Sequence, residues 1–157
     1  MHGRASAIGQ PSNEGHPVTR LWLITSNALF LVEMEIRELP GLGVKVDRVE
    51  YRPDVEAPKD RPYAFAYFIT IRNESEETVT IKGRKWVVSD AHGRRVVVEG
   101  DGVVGQFPRL RTGEQFSYNS HHVVATDSFA EGSYIGMTDG GDAVITRIPR
   151  FDMRVPG

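Results

Sequence analysis

The sequence predicts an all-β protein, an antiparallel sandwich of about seven to eight short strands, and three observations predict it. The stretch "YAFAYFITIRN" places Tyr63, Phe65, Tyr67, Ile69 and Ile71 at strict period two, the spacing that sends alternate side chains to opposite faces of a strand. Six further segments are rich in β-branched or aromatic residues and are separated by Asn, Asp and Gly turns. After residue 44 no window carries an apolar i, i+3, i+4, i+7 stripe through ten residues, so helices are at most single turns.

In chain order, residues 1–20 are rich in Gly, Ser, Pro, Asn and His with little periodicity and read as a mobile tail. Residues 21–39 read as a short helix or an added strand, ended by "ELPGLG" at Pro40, Gly41 and Gly43. Met34 stands ten residues before the first clear strand, which suggests that translation starts there and that residues 1–33 are an upstream extension. The expected division is an accessory segment over 1–43 and one sandwich domain over 44–157.

The first strand of the domain is Val44–Tyr51, and the 63–73 segment is the central core strand, with Ala64, Ala66, Phe68 and Thr70 on its second face. Thr78–Ile81 runs on to Lys85–Ser89, where Trp86 alternates with Val88 and its ring is suited to fill the gap between two sheets about 10 Å apart. Arg95–Val98, Gln115–Ser120, Gly132–Met137 and Ala143–Ile148 complete the set. The turns "NESEE", "DAHG", "RTGE" and "DGGD" supply residues that accept positive φ or close an Asx-turn. Strands in this number and spacing match the immunoglobulin and fibronectin-III type of sandwich.

Composition narrows the function. With 19 Lys+Arg against 21 Asp+Glu, the formal charge of -2 supplies no global field for nucleic acid or anionic lipid. The absence of cysteine excludes disulfides, thiolate nucleophiles and Cys-based metal sites, and fits the cytoplasm. The apolar run Leu21–Val32 is too short to span a bilayer, which needs about 20 residues. No small-x-small cleavage site follows it.

"GDGVVG" (100–105) has the spacing G-x-G-x-x-G, but a dinucleotide fingerprint needs a helix after it, and Gln106-Phe107-Pro108 opens none. On a structural reading Gly100 and Gly102 permit positive φ at a strand crossing, and Gly105 ends a short Val103–Val104 edge segment. On a functional reading Gly100, Asp101, Gly102 and Gly105 form an anion-binding nest near Arg84 and Lys85, with Arg94, Arg95 and Arg109 within reach. The alternative for those cations is a solvated face balanced by Glu74, Glu76, Glu77 and Glu99. Arg94 and Arg95, being adjacent, point to opposite faces. His121 and His122 are adjacent as well, and no neighbouring carboxylate pair completes a metal site. Ser133 in "EGSYIG" lacks the flanks of a nucleophile elbow, so no catalytic residue is assigned and no enzyme is expected.

The segments "FAYFITIRNESEETVTIKGRKWVVSDAHGR" (65–94), "VVVEGDGVVGQFPRLRTGEQFSYNS" (96–120), "EGSYIGM" (131–137) and "RIPRF" (147–151) together resemble the ApaG family over residues 44 to about 152. The resemblance implies a fibronectin-III-like sandwich and a binding module, found alone in bacteria and fused to F-box or other modules in eukaryotes. It implies a link by family name to cobalt and magnesium efflux and, by gene neighbourhood, to dinucleoside polyphosphate hydrolysis, and it supplies no accepted activity. One segment departs from the family pattern: "SHHVVATDSFAEG" (120–132) is one residue shorter and lacks the usual prolines. The expectation is therefore a non-enzymatic, cytoplasmic module without cofactor or bound metal, engaging a protein partner through exposed strands or loops. A homodimer could form through the same edges, and the rival is a binder of pyrophosphate or a dinucleoside polyphosphate at Gly100–Gly105.

Overall fold

In the computed structural model, residues 4–11, 17–25 and 28–157 are described, with side chains from residue 35 onward. Eleven strands occur among them: β1 (Arg4–Pro11), β2 (Pro17–Thr25), β3 (Ala28–Glu38), β4 (Leu42–Tyr51), β5 (Tyr63–Asn73), β6 (Val79–Asp90), β7 (Arg95–Asp101), β8 (Arg109–Leu110), β9 (Gln115–Val124), β10 (Ser128–Thr138) and β11 (Ala143–Met153). One sheet runs β1-β2-β3-β11-β10-β6-β7, with β8 also paired to β6, and the other is β4-β5-β9. All seven expected strands of the domain are present, and β8 brings the number between Leu42 and Met153 to eight. The segment 21–39, open between helix and strand in the sequence, is extended in β2 and β3.

The alternation of β5 does what its pattern predicts. Phe65, Tyr67, Ile69 and Ile71 are buried against Trp86, Tyr134, Val144, Ile148 and Phe151 of the facing sheet, while Ala64 and Ala66 are buried on the second side. Although β6 follows β5 in sequence, it lies in the opposite sheet, so Trp86 crosses the interior to reach Tyr67, ring centroids 4.9 Å apart. A register shift on β6 between Ile81 and Gly83 lets Val79 and Ile81 face inward at odd positions and Trp86 at an even one. The two expected half-strands of β6 are thus one strand with an irregularity.

Two features depart from a purely antiparallel sandwich that starts at residue 44. β3 pairs parallel to β11, Ile36 opposite Ala143, because the turn at Pro40-Gly41 hands the chain to the other sheet instead of closing a hairpin. Ile36, Leu39 and Leu42 are buried, and Arg37 bridges Glu77 at 2.8 Å and Asp142 at 3.3 Å, so these residues belong to the body of the sandwich.

One flank of the sandwich is closed where β11 meets β4, with the Thr146 hydroxyl donating to the Leu42 carbonyl at 3.2 Å. At one end of β5, Asn73 is fully buried and all of its polar atoms are used. Its amide nitrogen donates to the carbonyls of Glu77 (2.7 Å) and Leu110 (2.8 Å), and its side-chain oxygen accepts from the Ser75 N–H (3.0 Å) and hydroxyl (2.6 Å). The opposite flank, between edge strands β7 and β9, is open.

Candidate functional site

The open flank forms a cleft of about 500 Å³ whose walls are the β6–β7 hairpin and β9. The hairpin is built locally by Asp90, whose carboxylate accepts the N–H groups of His92 (2.8 Å) and Arg94 (2.9 Å), an Asx arrangement that turns the chain back. Those N–H groups, Arg94's foremost, hold the Asp90 carboxyl below the usual carboxylate range. The register then places Val98 beside Trp86 and Val96 beside Val88, all on the cleft side. Val96, Val97 and Val98 remain 50%, 53% and 40% exposed, a level unusual for three consecutive valines in a strand.

The floor is aromatic. Tyr67, Trp86, His122 and Phe151 pack together, with His122 4.7 Å from Tyr67 and 4.8 Å from Trp86 between ring centroids. The Tyr118 and Tyr134 hydroxyls hydrogen-bond each other, and the Tyr67 and Tyr118 rings meet edge to face at 6.2 Å between centroids. Burial raises the pKa of all three phenols, so they stay protonated. Two buried polar atoms of the floor have no hydrogen-bond partner, Trp86 Nε1 and His122 Nε2.

His122 is exposed to proton chemistry in a measurable way. Desolvation, with a smaller contribution from His121, lowers its pKa from the ordinary 6.5 to about 4. The neutral ring is thus favoured in the folded chain, and the stabilisation is complete above the unfolded value near 6.5 and lost as pH falls towards 4. Unfolding free energy is expected to drop by about 3 kcal/mol over that window, beyond the loss shared with carboxylates. Urea titrations at several pH values check it, and in a His122→Phe variant this part of the acid sensitivity should vanish.

The residues singled out around the glycine motif come together only in part. Arg84 lies opposite Tyr134 on the inner face, and its Nη1 donates to the carbonyls of Asp101 (2.8 Å) and Gly102 (3.1 Å). Gly100 packs directly on that guanidinium, since a Cβ there would sit 2.8 Å from it; Gly100 therefore supplies space, not the positive φ expected of it. Gly102 does adopt φ +60°, and a Cβ would approach the Gln106 carbonyl oxygen to 2.3 Å. Val103 and Gln106 exchange backbone hydrogen bonds across a two-residue turn, with Val104 at φ 44° and Gly105 at φ 77°. That turn replaces the expected Val103–Val104 edge segment, and Val103 is wholly buried. Holding a β-branched residue in the left-handed region costs about 1–2 kcal/mol, which the surrounding bonds offset.

This geometry bears on the nest. The N–H groups of Gly102 and Val103 are spent on the carbonyls of Lys82 (2.8 Å) and Gln106 (2.8 Å), and the loop turns carbonyl oxygens towards Arg84. Lys85 falls on the opposite face of β6, where it pairs with Glu99 at 3.6 Å. Arg109 pairs with Asp139 at 2.6 Å, and Arg94, unlike Arg95, lines the cleft. His121 is exposed while His122 is half-buried and turned towards the cleft, as adjacent strand positions require. Ser120 to Ala125, part of the segment that departs from the family pattern, form the β9 wall of the cleft. Sequence reasoning missed the cleft and His122's place in it; the signal was the "VVV" run of β7, apolar on both faces of a strand.

A two-sheet sandwich with one closed flank and one open, aromatic-floored flank defines a small all-β domain with a lateral cleft. The model of the ApaG domain matches residues 53–138. Protein ApaG of Vibrio cholerae is 34% identical over 119 residues, covering 75% of this chain and 94% of that protein. Protein ApaG of Rhodospirillum centenum is 44% identical over 110 residues, covering 69% and 85%. A crystal structure from Bordetella pertussis, described as ApaA, superposes with a TM-score of 0.67 at 30% identity, covering 77% of this chain and 98% of that one. The chain belongs to the ApaG family. The names of these relatives specify no reaction, and no helix among the described residues is long and apolar enough to cross a membrane.

Proposed function

We propose that the domain is a non-enzymatic recognition module of the cytoplasm that takes an extended segment of a partner protein along the outer edge of β7. One observation carries this reading: β7 ends its sheet and leaves three consecutive valines largely exposed beside a cleft. A sheet edge presents a row of unpaired N–H and C=O groups, and an added strand satisfies them while alternate side chains enter the adjoining pockets. Val96 and Val98 face the cleft, so every second residue of the added strand meets its apolar wall.

Panning a phage-displayed peptide library on the full chain tests it. Selected peptides are expected to alternate apolar residues, to slow hydrogen exchange at the amides of residues 95–101, and to lose at least tenfold in affinity against Val98→Asp. Peptides that bind without protecting β7 would overturn the reading, and a dimer with β7 protected in the free protein would make the partner a second copy of the chain. A second reading, a phosphate-bearing small molecule at Gly100–Gly105, draws on Arg84, which has no carboxylate partner among the described residues. Titration of pyrophosphate and diadenosine polyphosphates followed by amide NMR separates it, since only that reading moves residues 100–105.

A further inference from the structure

Resting on the β7 reading, we infer that the cleft selects a segment carrying an acidic side chain, whose carboxylate seats between the floor and the rim arginines. The floor offers a donor without an acceptor: Trp86 is 1% exposed and its Nε1–H, which can only donate, has no partner. His122 Nε2, 4.8 Å away between ring centroids, is likewise unpaired. A buried polar group without a partner is unfavourable, so an occupant that bonds these atoms removes that penalty on binding.

Charge at the rim chooses the occupant. Arg61, Arg84 and Arg94 line the cleft against Asp60 and Asp90. Asp60 faces Arg61 at 4.0 Å, and Asp90 is occupied by the N–H groups of its own hairpin. Arg84 spends Nη1 on carbonyls, and neither it nor Arg94 pairs with a carboxylate among the described residues. The surplus is positive, and a carboxylate that meets a guanidinium there makes a charge-assisted hydrogen bond. A carboxylate accepts from the indole N–H, from His122 in its Nε2–H tautomer, and from a guanidinium. An amide of the same size leaves the arginines without a counter-charge.

Two blocked nonapeptides of alternating valine and threonine, one with a central glutamate and one with glutamine, are the probes. The glutamate peptide is expected to bind at least tenfold more tightly and to move the Trp86 indole N–H resonance, which a Trp86→Phe variant assigns. Arg94→Gln removes an exposed rim charge and should reduce the glutamate peptide's advantage severalfold while leaving the glutamine peptide unchanged. Equal affinities with β7 protected by both would overturn the acidic-anchor inference and leave the strand-addition reading standing. Protection by neither, together with library peptides that bind away from β7, would overturn both.

Discussion

Asn73→Ala is expected to lower the unfolding free energy by about 2–5 kcal/mol, although the residue touches no part of the cleft. Its side-chain amide is the fully buried junction of the β5 end, the 74–78 turn and β8. Alanine leaves the Leu110 carbonyl and the Ser75 N–H buried without partners, and each such orphan costs about 1–3 kcal/mol. The Glu77 carbonyl suffers less because the Ser75 hydroxyl also reaches it, at 3.0 Å. Asn73→Asp keeps the shape but removes both donors and sets a carboxylate against two carbonyl oxygens, so it should be at least as damaging at neutral pH and partly recover in acid. Urea unfolding of both variants at two pH values checks this. A loss below 1 kcal/mol in Asn73→Ala would mean that the turn does not depend on the amide.

Trp86→Ala is the second change of this size, expected to cost about 3–5 kcal/mol. The ring is 1% exposed and touches both sheets, meeting Tyr67 at 4.9 Å and Phe151 at 5.8 Å between centroids. Its removal opens a cavity continuous with the cleft, where water can enter, so the transition should also broaden in near-UV circular dichroism before the far-UV signal is lost. Trp86→Phe retains most of the packing and deletes the unpartnered N–H, and its cost should be well under half that of alanine. The two substitutions together separate the ring's volume from its polar atom.

The strand alternation was legible because it is a local property. Successive side chains on an extended backbone point to opposite faces wherever the strand lies, so Phe65, Tyr67, Ile69 and Ile71 could be assigned to one buried face before any partner was known. The turn at Asp90 was legible for the same reason, since an Asx bond spans only two to four residues. The irregularity on β6 was not, because it is a property of the pairing with β10.

The candidate site was legible only where it coincided with a local motif. Arg84 and the glycines were singled out together, and they do meet, but in the opposite sense from a nest: the arginine donates to the loop, and Gly100 is small to admit the guanidinium. The cleft itself joins β7 to β9, which are brought together by the stacking of two sheets. No short-range pattern reports that His122 packs beside Trp86, 36 positions earlier in the chain.

By itself the sequence determined the strands, most of their turns, the inward face of the core strand and the family resemblance, all of which depend on residues close together in the chain or on their order. Only the tertiary structure decided which sheet edge stayed open, which cations lost their carboxylates and which polar atoms were left without partners. Those outcomes depend on which strands pair and which flank closes, and pairing is settled by contacts between residues far apart in sequence, whose energies no local period encodes.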